Sequence, residues 1–397
     1  MGTELFPPLA SGIRRDLDAL LPLIDRTFPV PGRFRGNLPG DVAELSRLLT
    51  SARNERSLSY LNRPPLLSAY LRYFLPWNLY RLCRLLPGLD LPLAPGDAVA
   101  DLGSGPLTLP AALWICRPEL RSIPLEFRCL DRSGAALEAG RKFFTALAGE
   151  NCPWAVKTIT GEVRAGRGRP LSVELRGKAP ALVAALYLYN EICQPIPPED
   201  TGALGLLAKN HAAFLAGLGG EGGRVLALEP GVPRSGEFIS LLRASFLPLG
   251  YSPLSPCLHP GPCPLGEGKN REGKRAAKWC HFAFDTEDAP RALRNLSAAA
   301  GIPKERATAS FLFVGKNPGT GAGAAEGPER VSLRILSDPF PLPAGGDLYG
   351  RYGCGEQGLV LVRGGRRRLE DLPSGALARV KLGAGRDLKS GALLGDV

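Results

Sequence analysis

The pattern of apolar and polar positions changes character twice along the 397-residue chain. Up to about residue 92 the apolar positions recur at helical spacing, as in "DVAELSRLLTSARNERSLSYL" and "PPLLSAYLRYFLPWNLYRLCRLL". A helical N-terminal region over 1–92 is expected, with Arg72, Arg81 and Arg84 facing solvent. From 93 to 316 short apolar runs alternate with amphipathic ones. "GDAVADLGSG", "LEFRCLDRS", "WAVKTITGEV", "PALVAALYLYNE" and "GGRVLALEPG" read as strands. "LTLPAALWICR", "GAALEAGRKFFTALAG", "LLAKNHAAFLAGL" and "SGEFISLLRASFLPLG" read as helices. Strand, helix, strand in this order predicts an α/β domain with a parallel sheet and crossover helices. "YSPLSPC" and "ASFLFVGK" are expected to pair as a terminal hairpin, with a cysteine-rich insertion, 255–283, between them. Residues 317–330, "NPGTGAGAAEGPER", form a Gly-rich linker. The remaining 331–397 shows short strands, glycine turns and no helical stretch, and predicts a small basic β segment.

Charge adds a partner to this picture. Lys and Arg number 49 against 38 Asp and Glu, a net charge of +11. Nucleic acid is the anionic partner such a surplus favours. The most apolar run, "PALVAALYLYNEI", is shorter than the roughly 18 residues of a membrane span, so no membrane partner is expected. The N-terminal "MGTELFPPLASGIRRDLDAL" has no apolar signal core and carries early acids. The expectation is therefore a cytoplasmic protein. Gly 49, Pro 38 and Met 1 match a GC-rich bacterial coding bias. Nine cysteines in that setting read as thiols or metal ligands rather than a disulfide framework.

Two places carry candidate chemistry. In "VADLGSGPLTLP" the first expected strand runs into Asp101, Gly103, Ser104 and Gly105. Ligands of open α/β sheets bind at such strand ends, and glycine lets the backbone approach them. The D-x-G-x-G turn differs from the dinucleotide fingerprint and from the P-loop. It is the turn that wraps S-adenosylmethionine (SAM) in methyltransferases. Asp131, at the end of the next strand, stands where an acid binds both ribose hydroxyls. Asn190, Glu191 and Glu174 are candidates to complete the pocket. No [ND]-P-P-[YFW] tetrad follows the fourth strand, which reads "YNEI". Cys193 reads as a buried thiol rather than a nucleophile. Catalytic residues therefore stay unassigned.

The second place is the cysteine set. Cys257, Cys263 and Cys280 lie close in sequence, and Cys354 stands between glycines in the C-terminal segment. Four such thiols suit zinc or an iron–sulfur cluster. The wide first gap and the neighbouring prolines favour the cluster over zinc; His259 and His281 are alternative ligands, though packing beside the site is the role expected of them. Cys83, Cys116, Cys129, Cys152 and Cys193 read as ordinary buried thiols.

"YLNRPPLLSAYLRY", "VADLGSGPLTLPAAL", "LYLYNEI", "LALEPGVPRSGEFISLLR", "SPCLHPGPCPL", "KWCHF" and "GCGEQGLVLV" follow one another over roughly residues 57 to 365. In this the chain resembles the methyltransferase-like family associated with the mitochondrial small ribosomal subunit, and its bacterial relatives. The resemblance implies a Rossmann-like class I SAM methyltransferase fold with a [4Fe–4S] cluster on Cys257, Cys263, Cys280 and Cys354. It implies an assembly or translation factor that binds the rRNA of the small ribosomal subunit and is a monomer away from it. Lys274, Arg275, Lys278, Arg366, Arg367 and Arg368 are the expected phosphate contacts. The alternatives are an active SAM-dependent methyltransferase of rRNA or a ribosomal protein, and a zinc-clamped RNA-binding protein. The chain departs from the pattern at Pro106 and Leu107, where many methyltransferases have a further glycine, and in the longer basic gap before Cys280.

Overall fold

The computed structural model describes residues 4–32, 36–52, 60–165, 175, 177–220, 222–265, 278–316, 330–343 and 346–397. Glu174, Lys274 and Arg275 lie outside them.

The central sheet contains β1 (Asp97–Leu102), β2 (Leu125–Asp131), β3 (Ala155–Thr160), β4 (Leu182–Leu186), β5 (Arg224–Glu229), β6 (Tyr251–Ser255), β7 (Phe282–Asp285) and β8 (Arg306–Lys316). Its order is β3-β2-β1-β4-β5-β8-β6, with β7 also on β8. The first five strands are parallel, and β8 runs antiparallel to β5, β6 and β7. This is the Rossmann-like arrangement of class I methyltransferases, the fold class read from the sequence. Sequence explains the centre: β4 is the unbroken apolar run LVAAL, buried at every position, as a strand covered on both faces requires. The chain order reverses at β1, between β2 and β4, so a crevice opens at the C-terminal ends of these strands. The expected terminal hairpin is more elaborate. One end of β8 pairs with β6, the other with β7, and the helix Arg291–Ala299 precedes it.

The N-terminal region is helical and packs into the same core. Its last helix runs as Pro64–Ala69, a π-helical segment Tyr70–Phe74 and Leu75–Leu85. The widened turn precedes Pro76, whose ring would crowd the carbonyl of Arg72 in a regular helix. Two of the three arginines expected at the surface are buried. Arg72 is 4% exposed and Arg84 5%. Arg72 bonds Asp25 at 2.9 Å and the Phe28 carbonyl at 2.5 Å. Arg84 reaches both Asp288 oxygens, at 3.1 and 3.2 Å, and the Phe6 carbonyl at 3.1 Å. Buried charges persist only when paired in this way; the Arg72 bonds hold the helical layer together, and the Arg84–Asp288 pair fastens it to the sheet domain.

Beyond the linker lie β9 (Val331–Ile335), β10 (Phe340–Pro341), β11 (Leu348–Gly355), β12 (Gly358–Gly365), β13 (Leu377–Arg386) and β14 (Leu393–Asp396). Their order is β10-β11-β12-β14-β13-β9, and β9 also pairs with β11, closing a barrel. Leu333, Ile335, Val360, Val362, Ala378 and Val380 fill its interior. A short helix, Arg366–Glu370, joins β12 to β13, where the sequence shows no helical signal. Only Leu369 of this helix is buried, so RRRLE offers one apolar position and no periodicity. The barrel meets the sheet domain through Arg334 Nε on the Pro256 carbonyl (3.3 Å) and Ala283 N on Ser374 Oγ (3.1 Å).

Candidate functional site

The first site is the crevice at the strand ends. The backbone N–H groups of Gly103 and Ser104 both donate to the Leu130 carbonyl, at 2.8 and 3.0 Å, tying the glycine turn to β2. Gly103 and Gly105 have φ of +73° and +53°, and Leu107 has +58°. Leu107 thus holds a left-handed position that glycine occupies without strain. It is fully buried, and the neighbouring backbone is tightly packed: a Cβ on Gly140 would lie 2.5 Å from the Pro106 carbonyl carbon.

Asp101 is buried beneath the turn. It accepts from Ser104 Oγ at 2.6 Å, and its other oxygen has no partner. Burial pushes its pKa up to about 7, against the Ser104 bond and with Asp131 adding repulsion. Asp131 accepts from Gly105 N at 2.9 Å and Ser133 N at 2.8 Å. Burial raises its pKa while these two bonds oppose the rise. Each carboxylate oxygen can accept two bonds, so both retain a lone pair for a ribose hydroxyl. Above lies a cavity of about 300 Å³ lined by residues including Tyr60, Tyr70, Gly103, Gly105, Asp131 and Glu191. That volume is at the small end of the range of about 300–1,000 Å³ for ligand pockets.

Glu191 is already engaged, with Arg132 at 2.7 Å and Tyr60 Oη at 3.3 Å. Asp101, Ser104 and Asn190 do not line this cavity. Asn190 contributes a backbone N–H to Glu229, which also holds Tyr189 N. Glu229, fully buried at the end of β5, therefore shapes the turn after β4, a role that "LALEPG" did not disclose. Cys193 is buried, and burial pushes its thiol up to about 12, an inert setting. The residues present fit a nucleoside-type cofactor through Asp131 and the glycine turn, and among the described residues no side chain marks a transfer step.

The second site lies where the sheet domain meets the barrel. Cys257 and Cys263 follow β6, Cys280 precedes β7, and Cys354 is on β11. All four are free thiols. Burial raises the pKa of Cys280, and Cys263, Cys257 and Cys354 raise it further; Cys354 is raised by burial, then by Cys257 and Cys263. The four thiols are thus close enough to raise one another's pKa, but among the described residues no three His, Cys, Asp or Glu side chains form a group that could hold a metal ion. A Cβ on Gly236 would sit 2.9 Å from the Cys280 carbonyl, so this glycine lets the helix Pro233–Phe246 approach the third cysteine.

Arg243 is the residue that sequence reasoning missed. It is 3% exposed. Its Nε donates to Cys257 Sγ at 3.2 Å, and its Nη2 to the carbonyls of His259 and Gly261, both at 2.7 Å. Among the described residues it pairs with no carboxylate. Arg334, 5% exposed, bonds the carbonyls of Pro256, next to Cys257, and Gly375. Both guanidiniums lower the Cys257 pKa against the burial that raises it. Two buried cations near Cys257 would offset the charge of thiolates there, while burial favours the protonated thiols at Cys257, Cys280 and Cys354. His259 is 5% exposed with neither ring nitrogen partnered, while His281 Nδ1 meets the Trp279 carbonyl at 3.1 Å. Of the basic candidates, Lys278 stands over the Tyr352 ring at 3.7 Å. Arg366, Arg367 and Arg368 are exposed on the short barrel helix, with Arg366 bonded to Glu370 at 2.8 Å.

No protein-family profile matches the chain, and no curated protein matches its sequence. Similar solved structures include a SAM-dependent methyltransferase from Geobacter sulfurreducens in complex with S-adenosyl-L-homocysteine (15% identity, 60% of this chain and 90% of that one, TM-score 0.30). Another is magnesium protoporphyrin IX methyltransferase from Synechocystis PCC 6803 with bound SAM (10%, 70% and 96%, TM-score 0.31). A third is precorrin-6y C5,15-methyltransferase from Geobacter metallireducens GS-15 (11%, 57% and 81%, TM-score 0.29). Likeness at this level adds no functional argument. The fold class stands on the strand order of the chain itself. Among the described residues no helix is long and apolar enough to cross a membrane.

Proposed function

We propose that the protein is an RNA-binding factor of the small ribosomal subunit, built on a methyltransferase fold and clamped by a [4Fe–4S] cluster on Cys257, Cys263, Cys280 and Cys354. The observation that supports this reading is Arg243, buried and without a carboxylate among the described residues, donating to Sγ of Cys257, the first of the four cysteines. Four thiolates on such a cluster leave a net negative charge that Arg243 and Arg334 offset. A bound cluster would tie the β6–β7 connection to β11, coupling metal binding to the docking of the barrel. The net charge of +11 supports an anionic partner, and the ribosomal assignment rests on the family resemblance. The test is anaerobic purification with iron, sulfide and zinc analysis, followed by co-sedimentation with small ribosomal subunits at rising salt. A brown protein with about four irons and four sulfides that pellets with subunits at low salt is expected. One zinc and no iron would leave a clamp without a cluster. No co-sedimentation at low salt would overturn the ribosomal reading.

A second reading, an active methyltransferase of rRNA or a ribosomal protein, is favoured by one observation: Asp131 keeps free lone pairs at the rim of the cavity. Calorimetric titration with SAM separates the two. Heat that disappears in Asp131→Ala supports a cofactor site; no heat from the native protein supports a scaffold.

A further inference from the structure

The barrel's pairing pattern is specific. Call its strands by order of appearance: β9 first, β11 second, β12 third, β13 fourth and β14 fifth. First pairs with second, second with third, fourth with fifth and fourth with first, all antiparallel. Third pairs with fifth, and this pair is parallel. A helix stands between third and fourth. A closed five-stranded barrel of this order is an oligonucleotide/oligosaccharide-binding fold, which takes its ligand across the second and third strands between the first and last hairpin loops. Fold alone does not give function, so the face itself must be examined.

Tyr349 packs on the barrel interior, so Tyr352, three positions along β11, lies on the outer face, with Cys354 beyond it. Phe340, from the connection between first and second strands, stacks on Tyr352 with ring centroids 5.2 Å apart and planes at 30°. Lys278 Nζ stands 3.7 Å from the centroid of the same ring. The connection between fourth and fifth strands follows Arg386. It carries Leu388, at 104% the most exposed large apolar side chain described, and the exposed Lys389. Stacked rings and one cation thus lie on the face that this fold uses for binding, and the loop that carries Leu388 and Lys389 is the one that borders that face in this fold.

We propose that this cleft, with Tyr352 and Phe340 as its stacking platform and Lys278, Arg386, Leu388 and Lys389 around it, binds single-stranded RNA. The choice of RNA rests on the function proposed above; the location does not. Charge complementarity selects a polyanion, and the paired rings select unpaired bases, which stack on aromatic side chains irrespective of sequence. Stacking by a base is worth more than an exposed cation–π contact. An arriving base therefore displaces Lys278 from the Tyr352 ring toward the phosphate. The site differs from the Arg366–Arg368 helix, which the sequence singles out.

The test uses the full chain, purified anaerobically, and fluorescence anisotropy with a fluorescein-labelled oligouridine of about 12 nucleotides, inside the usual site size of about 4–16 per barrel. Tyr352→Ala is expected to weaken binding by about fivefold or more. Lys389→Glu is expected to reduce the salt slope by about one ion. Leu388→Ser, at a fully exposed position, serves as the variant that leaves folding intact and is expected to weaken binding about two- to threefold. Unchanged affinity in Tyr352→Ala and Leu388→Ser, with loss in Arg367→Glu/Arg368→Glu, would overturn the cleft while sparing RNA binding. No binding of single strands by the native protein would overturn both. Equal binding of duplex and single-stranded RNA would overturn the stacking platform.

Discussion

Replacing Arg243 by Met removes a buried cation while keeping much of its volume. Three hydrogen bonds go with it, to Cys257 Sγ and to the carbonyls of His259 and Gly261. A hydrogen bond to a charged group contributes about 1.5–3 kcal/mol net, and an acceptor left buried without a donor costs about 1–3 kcal/mol. Such contributions are not additive within one network, so the expected loss is about 3–5 kcal/mol. That is a large share of the roughly 5–15 kcal/mol that holds a domain folded. At about 2–4 °C per kcal/mol for a domain of this size, the melting transition should fall by about 6–20 °C. Arg243→Lys keeps the charge but cannot hold three acceptors in fork geometry, so it should recover only part of the loss. The measurement is differential scanning calorimetry on anaerobic protein, with iron and sulfide determined on the same samples. The Met variant is expected to lose iron and the Lys variant to retain more. A Met variant that melts normally with a full complement of iron would refute the charge-compensation argument.

Three further outcomes follow from the geometry. Asp101 has its folded pKa raised from 3.8 to about 7 by burial, so the folded state holds a proton that the unfolded state has released, and stability declines as pH rises from about 4 to 7. Asp101→Asn should flatten that decline and add at most about 4 kcal/mol above pH 7, read from urea unfolding across pH; an unchanged pH profile would contradict the burial argument. Gly140→Ala should cost about 1–3 kcal/mol, because its Cβ would sit 2.5 Å from the Pro106 carbonyl carbon; a thermal melt checks this. Cys354→Ser should expose the barrel to limited proteolysis while leaving the sheet domain protected, and an equally protected tail would count against the clamp.

The sheet domain was legible because parallel strands with crossover helices write their periodicity into the chain, as β4 and the helix Thr201–Gly219 show. The four cysteines were legible as residue types. The charged residues that organise the sites were not. Arg243 sits in "ISLLRASF" and Arg72 in "AYLRYF", where a lone arginine reads as the solvated edge of an apolar helix. Only tertiary contacts, the His259 and Gly261 carbonyls in one case and Asp25 in the other, reveal it as buried. Asn190 and Glu191 were singled out for their side chains, yet Asn190 works through its backbone N–H, and Glu191 is held by Arg132. The barrel's order was illegible for a related reason. Short strands such as Leu393–Asp396 carry too little pattern to choose a partner, and the parallel pairing with β12 is set by packing of the whole.

That pairing also imposes a timetable. β14 lies between β12 and β13, so the barrel cannot close until the ribosome has released residues beyond 390. Cys354 reaches its final position only then. Cys280 is made about 75 residues before Cys354, roughly 4–15 seconds at ordinary elongation rates of about 5–20 residues per second. During that interval the sheet domain can form around β1 and β4 while three of its thiols wait without their fourth. The cluster proposed above would therefore gain its fourth ligand only in a molecule whose β13 and β14 have been made and folded.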